Sequence, residues 1–365
     1  MKVAVITDTH FGVRNDSAAM HKSQQKFYRD VFFPTLDAHG ITRVLHGGDY
    51  GDRRKYINFA TARFIEQEYR DPLRHRNIRE DVIIGNHDCY LRESTHINSV
   101  EELYRHDTTM HIHARPTEID VDGCGVLLLP WICENTHAES MTMIEQSSAA
   151  VVLGHLELNG FSMYRGMPNH EGMNPSMFDR FSLVMSGHFH HRSAKPPVQY
   201  LGAPYAMVWS DYRDPRGFHL FDTDTHELTF IENPYSLFVR MVYDDADQPP
   251  QYIEKLIHDV MLPDSPHHDA YVKVVVKSKS QPYWFDLLMD ALAKVNAQDV
   301  MVVDDVALTT EEASGDDVST DIDTLSLIHD YVDNLSVTCD KMELQQYLQD
   351  VYREAMSVTQ SARVQ

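Results

Sequence analysis

Five short apolar segments of this sequence each lead directly into residue types that bind metal ions. Carboxylate and amide oxygens and imidazole nitrogens are the donors that divalent transition metals accept. A single segment of this kind is equally consistent with an ordinary turn at the end of a strand, whereas five on one chain favour a shared metal site. The segments are VAVITDTH (Val3–His10), VLHGGD (Val44–Asp49), VIIGNHD (Val82–Asp88), VVLGH (Val151–His155) and LVMSGHFHH (Leu183–His191).

The donors in these segments are numerous enough for two metal ions. Two divalent ions about 3.5–4 Å apart can hold the attacking and leaving oxygens of a phosphoryl displacement. Such a pair needs an anionic ligand between the ions, and Asp49, which follows two glycines at a strand end, suits that position. Mixed ligation favours Mn²⁺, Fe²⁺ or Zn²⁺ over Mg²⁺, which prefers oxygen ligands and retained waters. The predicted metal ligands are Asp8, His10, Asp49, Asn86, His155, His188 and His190.

Two of the segments also suggest how individual histidines are used. Side chains alternate along an extended segment, so His188 and His190 point to one side and His191 points to the other. His191 is therefore left out of the predicted ligands. His87 precedes Asp88, and a histidine beside a carboxylate can be held in one tautomer or kept protonated. We predict His87 and Asp88 as the catalytic pair, with His87 as a general acid or transition-state stabiliser and Asp88 as its orienting group.

The elements that must position these residues follow a strand–helix–strand rhythm. Helical spacing predicts helices over Ala18–His39, with a kink at Pro34, and over Ile57–Tyr69. Short strand-like pieces follow between residues 106 and 132. The block up to about residue 235 therefore indicates two sheets packed face to face between helices, an α/β (α+β) fold.

The end of this block carries three more strand patterns. Val198–Leu201, Gly217–Phe221 and Glu227–Ile231 predict a closing run of antiparallel strands. Before them, Asn159–Asp179 is rich in glycine, methionine and asparagine, which predicts a long loop near the site.

The composition changes after about residue 235. Residues 236–303 alternate helical and strand patterns, which predicts a small α/β domain. Residues 304–323 carry eight acidic residues and no lysine or arginine, which is typical of a flexible linker. Residues 324–357 repeat apolar side chains at helical spacing, and such a segment must pack either on the chain's own globule or on a partner helix.

The overall composition restricts the possible functions. A net charge of -23 argues against DNA binding through charge alone, so any nucleic-acid contact must use local basic clusters such as Arg53–Lys55. No apolar run is long enough to span a bilayer, and no signal-peptide pattern opens the sequence. The four cysteines lack CxxC spacing, so neither a disulfide framework nor a cysteine zinc site is indicated. The expected location is the cytoplasm, that of the bacterial host for a phage-encoded protein.

Together these motifs resemble those of the calcineurin-like metallophosphoesterase superfamily. Within it the chain is similar to the SbcD-type nuclease subunits of double-strand-break repair complexes, especially the recombination endonuclease subunits of T-even-like phages. The resemblance covers about residues 1–233 and implies a two-sheet sandwich flanked by helices. Less specifically, residues 236–303 resemble the DNA-capping domain of that family, and residues 324–357 resemble the helices that grip its ATPase partner.

The resemblance implies Mn²⁺-dependent 3′–5′ exonuclease and single-strand endonuclease activity on DNA, with two Mn²⁺ ions, or Mg²⁺ or another divalent cation in their place. The implied partners are DNA ends, single-stranded DNA and an SbcC-type coiled-coil, SMC-like ATPase, in a heterotetramer built on a homodimer of this chain. Asp49 would bridge the two ions. Carried over to this sequence, the first ion would take Asp8, His10, Asp49 and His190, and the second Asp49, Asn86, His155 and His188.

One position departs from the family pattern. Some members have a second histidine three residues after the bridging aspartate, where this chain has Asp52, so the role of that histidine in exonuclease action is not carried over. The stretch Asp49–Arg53 also echoes the protein serine/threonine phosphatases, which makes a phosphoprotein phosphatase or another phosphoesterase the alternative. Against it, the asparagine motif of those phosphatases ends in glutamate where this chain has Asp88. A scaffold with an inactive site is disfavoured because every ligand position is filled.

Overall fold

The structure, a computed structural model, describes residues 1–164 and 167–304 and five isolated positions, 332, 341, 344, 345 and 347. The chain divides into the compact units Met1–Ala307 and Leu308–Gln365, and the first is described below. Nearly all of the predicted linker (304–323) and most of the predicted helical segment (324–357) lie outside the described residues.

Strands and helices alternate through the first part of the chain, as the apolar pattern predicts. The strands are β1 (Lys2–Ile6), β2 (Arg43–His46), β3 (Arg79–Ile83), β4 (Cys89–Leu91), β5 (Ser94–Asn98), β6 (Met110–His113), β7 (Thr117–Val121), β8 (Cys124–Leu129), β9 (Val151–His155), β10 (Ser162–Tyr164), β11 (Met167–Pro168), β12 (Leu183–Gly187), β13 (Ser193–Lys195), β14 (Val198–Tyr200), β15 (Gly217–Asp222), β16 (Leu228–Glu232), β17 (Phe238–Asp244), β18 (Tyr271–Ser278) and β19 (Asp299–Asp304). The right-handed α-helices span Ala18–Phe27, Phe33–His39, Phe59–Ile65, Asp71–His75, Ser99–Tyr104, His137–Gln146, Gln251–Met261 and Pro282–Lys294. Val13–Asp16 forms one further helical turn, in which Arg14, Asn15 and Asp16 have positive φ.

Two six-stranded sheets organise residues 1–235. The first has the order β16-β15-β1-β2-β3-β6 and the second β13-β14-β12-β9-β8-β7. In the first, β1, β2, β3 and β6 are parallel and β15 and β16 add antiparallel edge strands. In the second, β8, β9, β12 and β14 are parallel. The predicted two-sheet sandwich is confirmed.

The two sheets share a buried core. Val5 and Leu45 of the first sheet pack with Leu153 and Met185 of the second, all fully buried. The helices around residues 18–75 cover the outer face of the first sheet. Because the central strands are buried on both faces, β1, β8 and β9 consist mostly of apolar residues, which is why the sequence pattern locates them.

The predicted antiparallel run near residue 200 is only partly right. β15 and β16 do pair antiparallel. However, Val198–Tyr200 belongs to the other sheet and lies parallel to β12. A strand pattern fixes which residues are extended, whereas the choice of sheet depends on contacts with distant strands.

Both long helices contain one wide turn, and each turn ends two residues before a proline. The helix predicted over residues 18–39 is interrupted by a π-helical turn at Tyr28–Phe32, in which the Phe33 amide donates to the Tyr28 carbonyl. The second turn spans Glu66–Arg70 and precedes Pro72 in the same way. A proline ring clashes with the carbonyl four residues earlier, and the wider turn relieves this clash without ending the helix.

Residues 238–304 form a three-stranded parallel sheet, β17-β18-β19, with two covering helices and a core of their own. This part contacts the sandwich near Tyr271: the Ser17 hydroxyl lies 3.1 Å from the Tyr271 hydroxyl, and the Arg14 guanidinium lies 4.1 Å from the centre of the Tyr271 ring. The role of residues 236–303 as a DNA-capping domain stays a prediction.

A buried ion-pair network joins the second wide turn to the first sheet. The Arg70 side chain is fully buried between Glu80 of β3 and Asp107, with Nη2 lying 2.8 Å from Asp107 Oδ2. The Tyr69 hydroxyl donates to Glu80 Oε1 at 2.6 Å. Removing one partner of a buried pair leaves an uncompensated charge in the core, which is far more costly than the pair itself is stabilising.

We therefore expect Arg70→Met to lower the free energy of unfolding by about 3–5 kcal/mol at neutral pH, measured by urea denaturation. The matched control is Arg74→Met, because Arg74 also pairs with Asp107 but is 32% exposed, where a pair contributes about 1 kcal/mol or less. The difference in the free energy of unfolding between wild type and Arg70→Met should shrink as the pH falls, because Glu80 becomes protonated and a neutral carboxyl group needs no cation beside it. Equal losses for the two variants would contradict this account.

Candidate metal centre

The carboxyl ends of five strands deliver the predicted ligands to one edge of the sandwich. Asp8 and His10 follow β1, Asp49 follows β2 and Asn86 follows β3, and these strands are parallel. His155 ends β9 and His188 follows its parallel neighbour β12. Parallel strands end on the same side of a sheet, so the pairing brings together residues up to 180 positions apart.

The backbone at this edge is strained. Four predicted ligands adopt positive φ: Asp8 at 53°, His10 at 38°, Asp49 at 52° and His188 at 86°. Such a conformation costs about 1–3 kcal/mol for a residue other than glycine and persists only where the surroundings impose it. Strain clustered on the residues that the sequence selects for chemistry supports a functional role for the edge.

Glycines allow the segments to approach each other at this edge. Gly48 has a φ of 90°, and a β-carbon there would lie 2.7 Å from His155 Nδ1. A β-carbon on Gly85 would overlap the Asp49 carboxylate. The glycines before Asp49 and Asn86 are therefore required by close packing of the ligand segments as well as by the turn.

Asp8, His10 and His190 form a first group, with one donor atom from each lying within 4.8 Å of the others. His10 Nε2 lies 3.0 Å from His190 Nε2, and only one proton can occupy that contact. Burial and the nearby positive charge of His10 hold the pKa of His190 well below its usual range, so His190 directs a lone pair into the group. That is the form in which histidine binds a metal.

Asp49, His155 and His188 form a second group of the same size, and Asn86 joins it. Asn86 Oδ1 lies 3.0 Å from His155 Nε2 and 2.8 Å from His188 Nδ1. His155 Nδ1 donates to the Gly47 carbonyl at 2.8 Å, which leaves Nε2 to face Asn86 and Asp49. A backbone carbonyl on the far ring nitrogen is the usual way a metal-binding histidine is oriented.

The charge balance of both groups calls for cations. Burial alone would lower the pKa of His155, but the Asp49 carboxylate raises it to about 9. The pKa of His10 is likewise raised to about 9 against the effect of burial, by Asp52 and Asp49. Protons on these rings compensate buried carboxylates, a function that divalent ions fulfil more completely. The donor set therefore fits the two divalent cations predicted from the sequence.

Asp49 lies between the two groups. Its Oδ2 is 3.5 Å from His10 Nε2, and its Oδ1 is 3.4 Å from His155 Nε2. Oδ1 also accepts a hydrogen bond from the His87 amide at 2.7 Å. Burial would raise the pKa of the Asp49 carboxyl, but the positive charge of His155 outweighs it and holds the pKa well below the usual range. The carboxylate is thus ionised, with one oxygen toward each group.

The predicted contact between His87 and Asp88 is wrong. His87 Nδ1 lies 2.9 Å from the Asp52 carbonyl oxygen instead. The Asp88 carboxylate accepts hydrogen bonds from the backbone amides of Tyr50, Gly51 and Gly85, at 2.9–3.1 Å. Adjacent side chains on a turn diverge, so Asp88 turns inward and ties the Asp49 loop to the Asn86 loop. Burial and the charge of Asp49 raise the pKa of Asp88 to about 7.

Three residues that sequence reasoning did not select also belong to the site. The Asp52 side chain lies 3.5 Å from His10 Nδ1, and its carbonyl orients His87. His46 Nδ1 accepts from the Gly48 amide at 3.2 Å and so fixes the turn before Asp49. The Trp131 ring lies 5.2 Å from the His188 ring. His46 and Asp52 lie close to the GGD motif in the sequence, and this proximity was the one sequence signal that could have identified them. Nothing in the sequence near Trp131 indicates a contact with His188.

The region between β9 and β12 is not one continuous loop. It contains the short pair β10–β11 and a 3₁₀ turn at Pro175–Phe178.

No helix in the described part of the chain is long and apolar enough to cross a membrane.

Comparisons with known proteins match the part of the chain that carries these residues. The family profile described as calcineurin-like phosphoesterase matches residues 1–192, which include all seven predicted ligands. Exonuclease subunit 1 of Enterobacteria phage T4 is 35% identical over 243 residues, 67% of this chain and 71% of that protein. A solved structure described as a novel archaeal phosphodiesterase is 14% identical, covers 64% of this chain and 100% of its own, and has a TM-score of 0.34. A second solved chain is 10% identical, covers 63% of this chain and 98% of its own, and has a TM-score of 0.38.

Proposed function

The chain belongs to the calcineurin-like phosphoesterase family, and we propose on that premise that it is a DNA nuclease that hydrolyses phosphodiester bonds with two Mn²⁺ ions. The observation that carries the proposal is the position of Asp49, whose two oxygens face two separate groups of donors. One anionic ligand between two cation sites is the arrangement that two-metal hydrolysis of a phosphate ester requires.

The proposed ligands follow the two groups. His188 contacts Asn86 and therefore belongs with the second ion, whereas His190 contacts His10 and belongs with the first. The histidine and amide donors favour Mn²⁺ over Mg²⁺. The first ion would be held by Asp8, His10, Asp49 and His190, and the second by Asp49, Asn86, His155 and His188.

When bound, the ions would lower the pKa of a water and offset negative charge on the phosphate oxygens. The protein supplies His87 beside them. A carbonyl oxygen only accepts hydrogen bonds, so the Asp52 carbonyl keeps a proton on Nδ1 of His87 and leaves Nε2 for the substrate. Burial lowers the pKa of His87, so the ring would take a second proton, on Nε2, only when a negatively charged phosphate lies beside it. In that form His87 can donate to the leaving oxygen or stabilise charge on the phosphate.

DNA is proposed as the substrate because the phage relative with 35% identity is named as an exonuclease subunit. From the motif resemblance to SbcD-type nuclease subunits we further propose 3′–5′ exonuclease and single-strand endonuclease activity in double-strand-break processing. The alternative substrate is a phosphoprotein, which the serine/threonine phosphatases of the same superfamily accept.

A direct comparison of substrates tests this proposal. End-labelled linear DNA and a phosphopeptide are incubated with the purified chain and Mn²⁺, Mg²⁺ or EDTA. We expect shortening of the DNA with Mn²⁺, less with Mg²⁺, none with EDTA, and no release of phosphate from the peptide. Hydrolysis of the peptide without cleavage of DNA would refute the nuclease proposal and favour the phosphatase.

We also propose an SbcC-type coiled-coil ATPase as the partner, in a complex built on a homodimer of this chain. The apolar helical pattern of residues 324–357 is the segment that would bind it. A truncation after Asp304 should keep Mn²⁺-dependent cleavage and lose co-purification with the ATPase. If the truncated chain melts several degrees lower and still binds the ATPase, the segment completes the chain's own core and the docking proposal is refuted.

A further inference from the structure

Two exposed segments beside His87 carry aromatic and cationic side chains. The first is the loop Arg53–Phe59, which starts at the residue after Asp52 and leads into a helix. The second is the hairpin β4–β5, which follows Asp88 directly. The Ser99 amide after the hairpin donates to the Asp88 carbonyl at 2.8 Å, so both ends of the hairpin are held at the site.

Exposed aromatic rings are concentrated on these two segments. Tyr56 is 55% exposed, Phe59 91% and Tyr90 42%. Among the residues up to 303 whose burial the structure describes, which leaves out 164–168, only one other phenylalanine, tyrosine or tryptophan is exposed, Tyr283 of the small domain. Exposed apolar side chains are ordinary when scattered, but a cluster beside a candidate active site indicates a surface that contacts a ligand.

Cations without carboxylate partners accompany these rings. Arg54, Lys55 and Arg92 make no ion pair in the part of the chain that the structure describes, although the chain has 55 acidic residues against 32 basic ones. Lys55 Nζ instead lies 5.8 Å from the centre of the Tyr90 ring, which joins the loop to the hairpin. In so acidic a protein, unpaired cations at one place favour an anionic ligand from outside the chain.

The hairpin is connected to the second ligand group through Trp131. The Trp131 indole donates to the Arg92 carbonyl at 3.0 Å, and the Arg92 guanidinium lies 5.8 Å from the centre of the Trp131 ring. The same ring packs 5.2 Å from His188. A ligand on the hairpin would therefore lie beside the predicted metal ligands.

We infer that this surface binds single-stranded nucleic acid and presents an unpaired strand to the site. Bases would stack on the three rings while the cations contact phosphates, a combination that accepts any sequence. Paired bases are already stacked on each other, so a duplex offers the rings no free face except at its end. The inference rests on the proposed nuclease function and assigns the residues that would hold an unpaired strand beside the site. We call the surface the aromatic rim, and its members are Arg54, Lys55, Tyr56, Phe59, Tyr90 and Arg92.

Binding without hydrolysis tests the rim. Fluorescence anisotropy measures the affinity of the full chain for a labelled single strand of about 20 nucleotides, with EDTA present. Tyr56→Ala, Phe59→Ala and Tyr90→Ala should each weaken binding about tenfold, the effect expected when one stacking ring is removed. The control is Tyr283→Ala, which removes a ring that is 69% exposed but distant in sequence from the rim and should bind as wild type does.

The cations are tested by salt dependence. The double variant Arg54→Gln/Lys55→Gln should reduce the slope of log affinity against log salt by about 1.4, since each phosphate contact with a single strand contributes about 0.7. A blunt duplex of the same length should be affected much less by the aromatic substitutions.

Three results would overturn the inference: unchanged single-strand binding by the aromatic variants, an equal loss for Tyr283→Ala, or an equal loss for the duplex. Because binding is measured in EDTA, the outcome is separate from that of the nuclease proposal. A wild-type chain that fails to cleave DNA refutes the proposed function. Normal cleavage by the wild-type chain, together with unchanged single-strand binding by the aromatic variants, refutes the rim alone. Rim variants that bind DNA normally but no longer bind the ATPase would identify the surface as a protein interface instead.

Discussion

Replacing Asp49 by alanine is expected to abolish DNA hydrolysis and remove most of the bound metal. Asp49 is the one predicted ligand whose oxygens face both groups, at 3.5 Å from His10 and 3.4 Å from His155. Loss of a group that only orients a ligand costs about 10–100-fold in metal affinity, so loss of a shared ligand should cost more than about 100-fold. Metal content of the purified variant by mass spectrometry, together with the rate of DNA cleavage, gives both quantities.

Two further variants separate ligand loss from general damage. Asp49→Asn keeps an oxygen that can accept from the His87 amide but removes the charge, and it should also lose metal. Asp81→Asn is the control, because Asp81 is equally buried on β3 but pairs with Arg43 at 2.8 Å, in a different network. It should lower stability and leave metal content unchanged. Two full metal equivalents with normal turnover in Asp49→Ala would contradict the bridging role.

Replacing His87 by alanine should leave metal content unchanged and lower turnover by about a hundredfold or more. Its backbone amide, which donates to Asp49, remains in the variant, so the bridging carboxylate keeps that support. The lost imidazole is the group proposed to donate a proton or stabilise charge, and such groups contribute about 10²–10⁴-fold to a rate. Single-turnover cleavage of end-labelled DNA at saturating Mn²⁺ measures the effect.

His191→Ala provides the matched control for His87. His191 follows a predicted ligand directly, but its Nδ1 lies 2.9 Å from Asp214 Oδ2, away from both groups. Metal content and turnover of this variant should stay close to wild type. If the metal content of His87→Ala instead falls as much as its turnover, His87 is a metal ligand. The structure would explain this result, because donor atoms of His87, His10 and Asp52 form a third group.

Much of the fold follows from local sequence pattern. The runs before Asp8, Asp49 and Asn86 are apolar because both faces of their strands are buried, and burial on both faces is visible in the sequence itself. The helices at 18–39 and 59–75 are likewise predicted by spacing. The second, predicted over Ile57–Tyr69, begins two residues later, at Phe59, and ends six residues later, at His75. The π-helical turns are not predictable from spacing, because they depend on how a proline is accommodated within a packed helix.

In the candidate site, too, some features are predictable from the sequence and others are not. The types and order of the seven predicted ligands are evident because each follows a strand, and strand ends are where α/β sheets place functional residues. The partners of these side chains are not evident. Adjacency in sequence favoured a contact between Asp88 and His87. Instead, the Asp88 carboxylate accepts hydrogen bonds from three backbone amides, and the His87 ring contacts the Asp52 carbonyl.

By itself, the sequence determined which residues are extended, which are helical and which strand ends carry metal-binding side chains, because these depend on burial periodicity and residue chemistry within a few positions. Only the tertiary structure decided that β14 joins the second sheet, that Asp49 lies between two groups of donors, and that Trp131 links the hairpin to His188. These contacts join segments far apart in the chain, and their free energy depends on the packing of one sheet on the other. No local pattern encodes that packing.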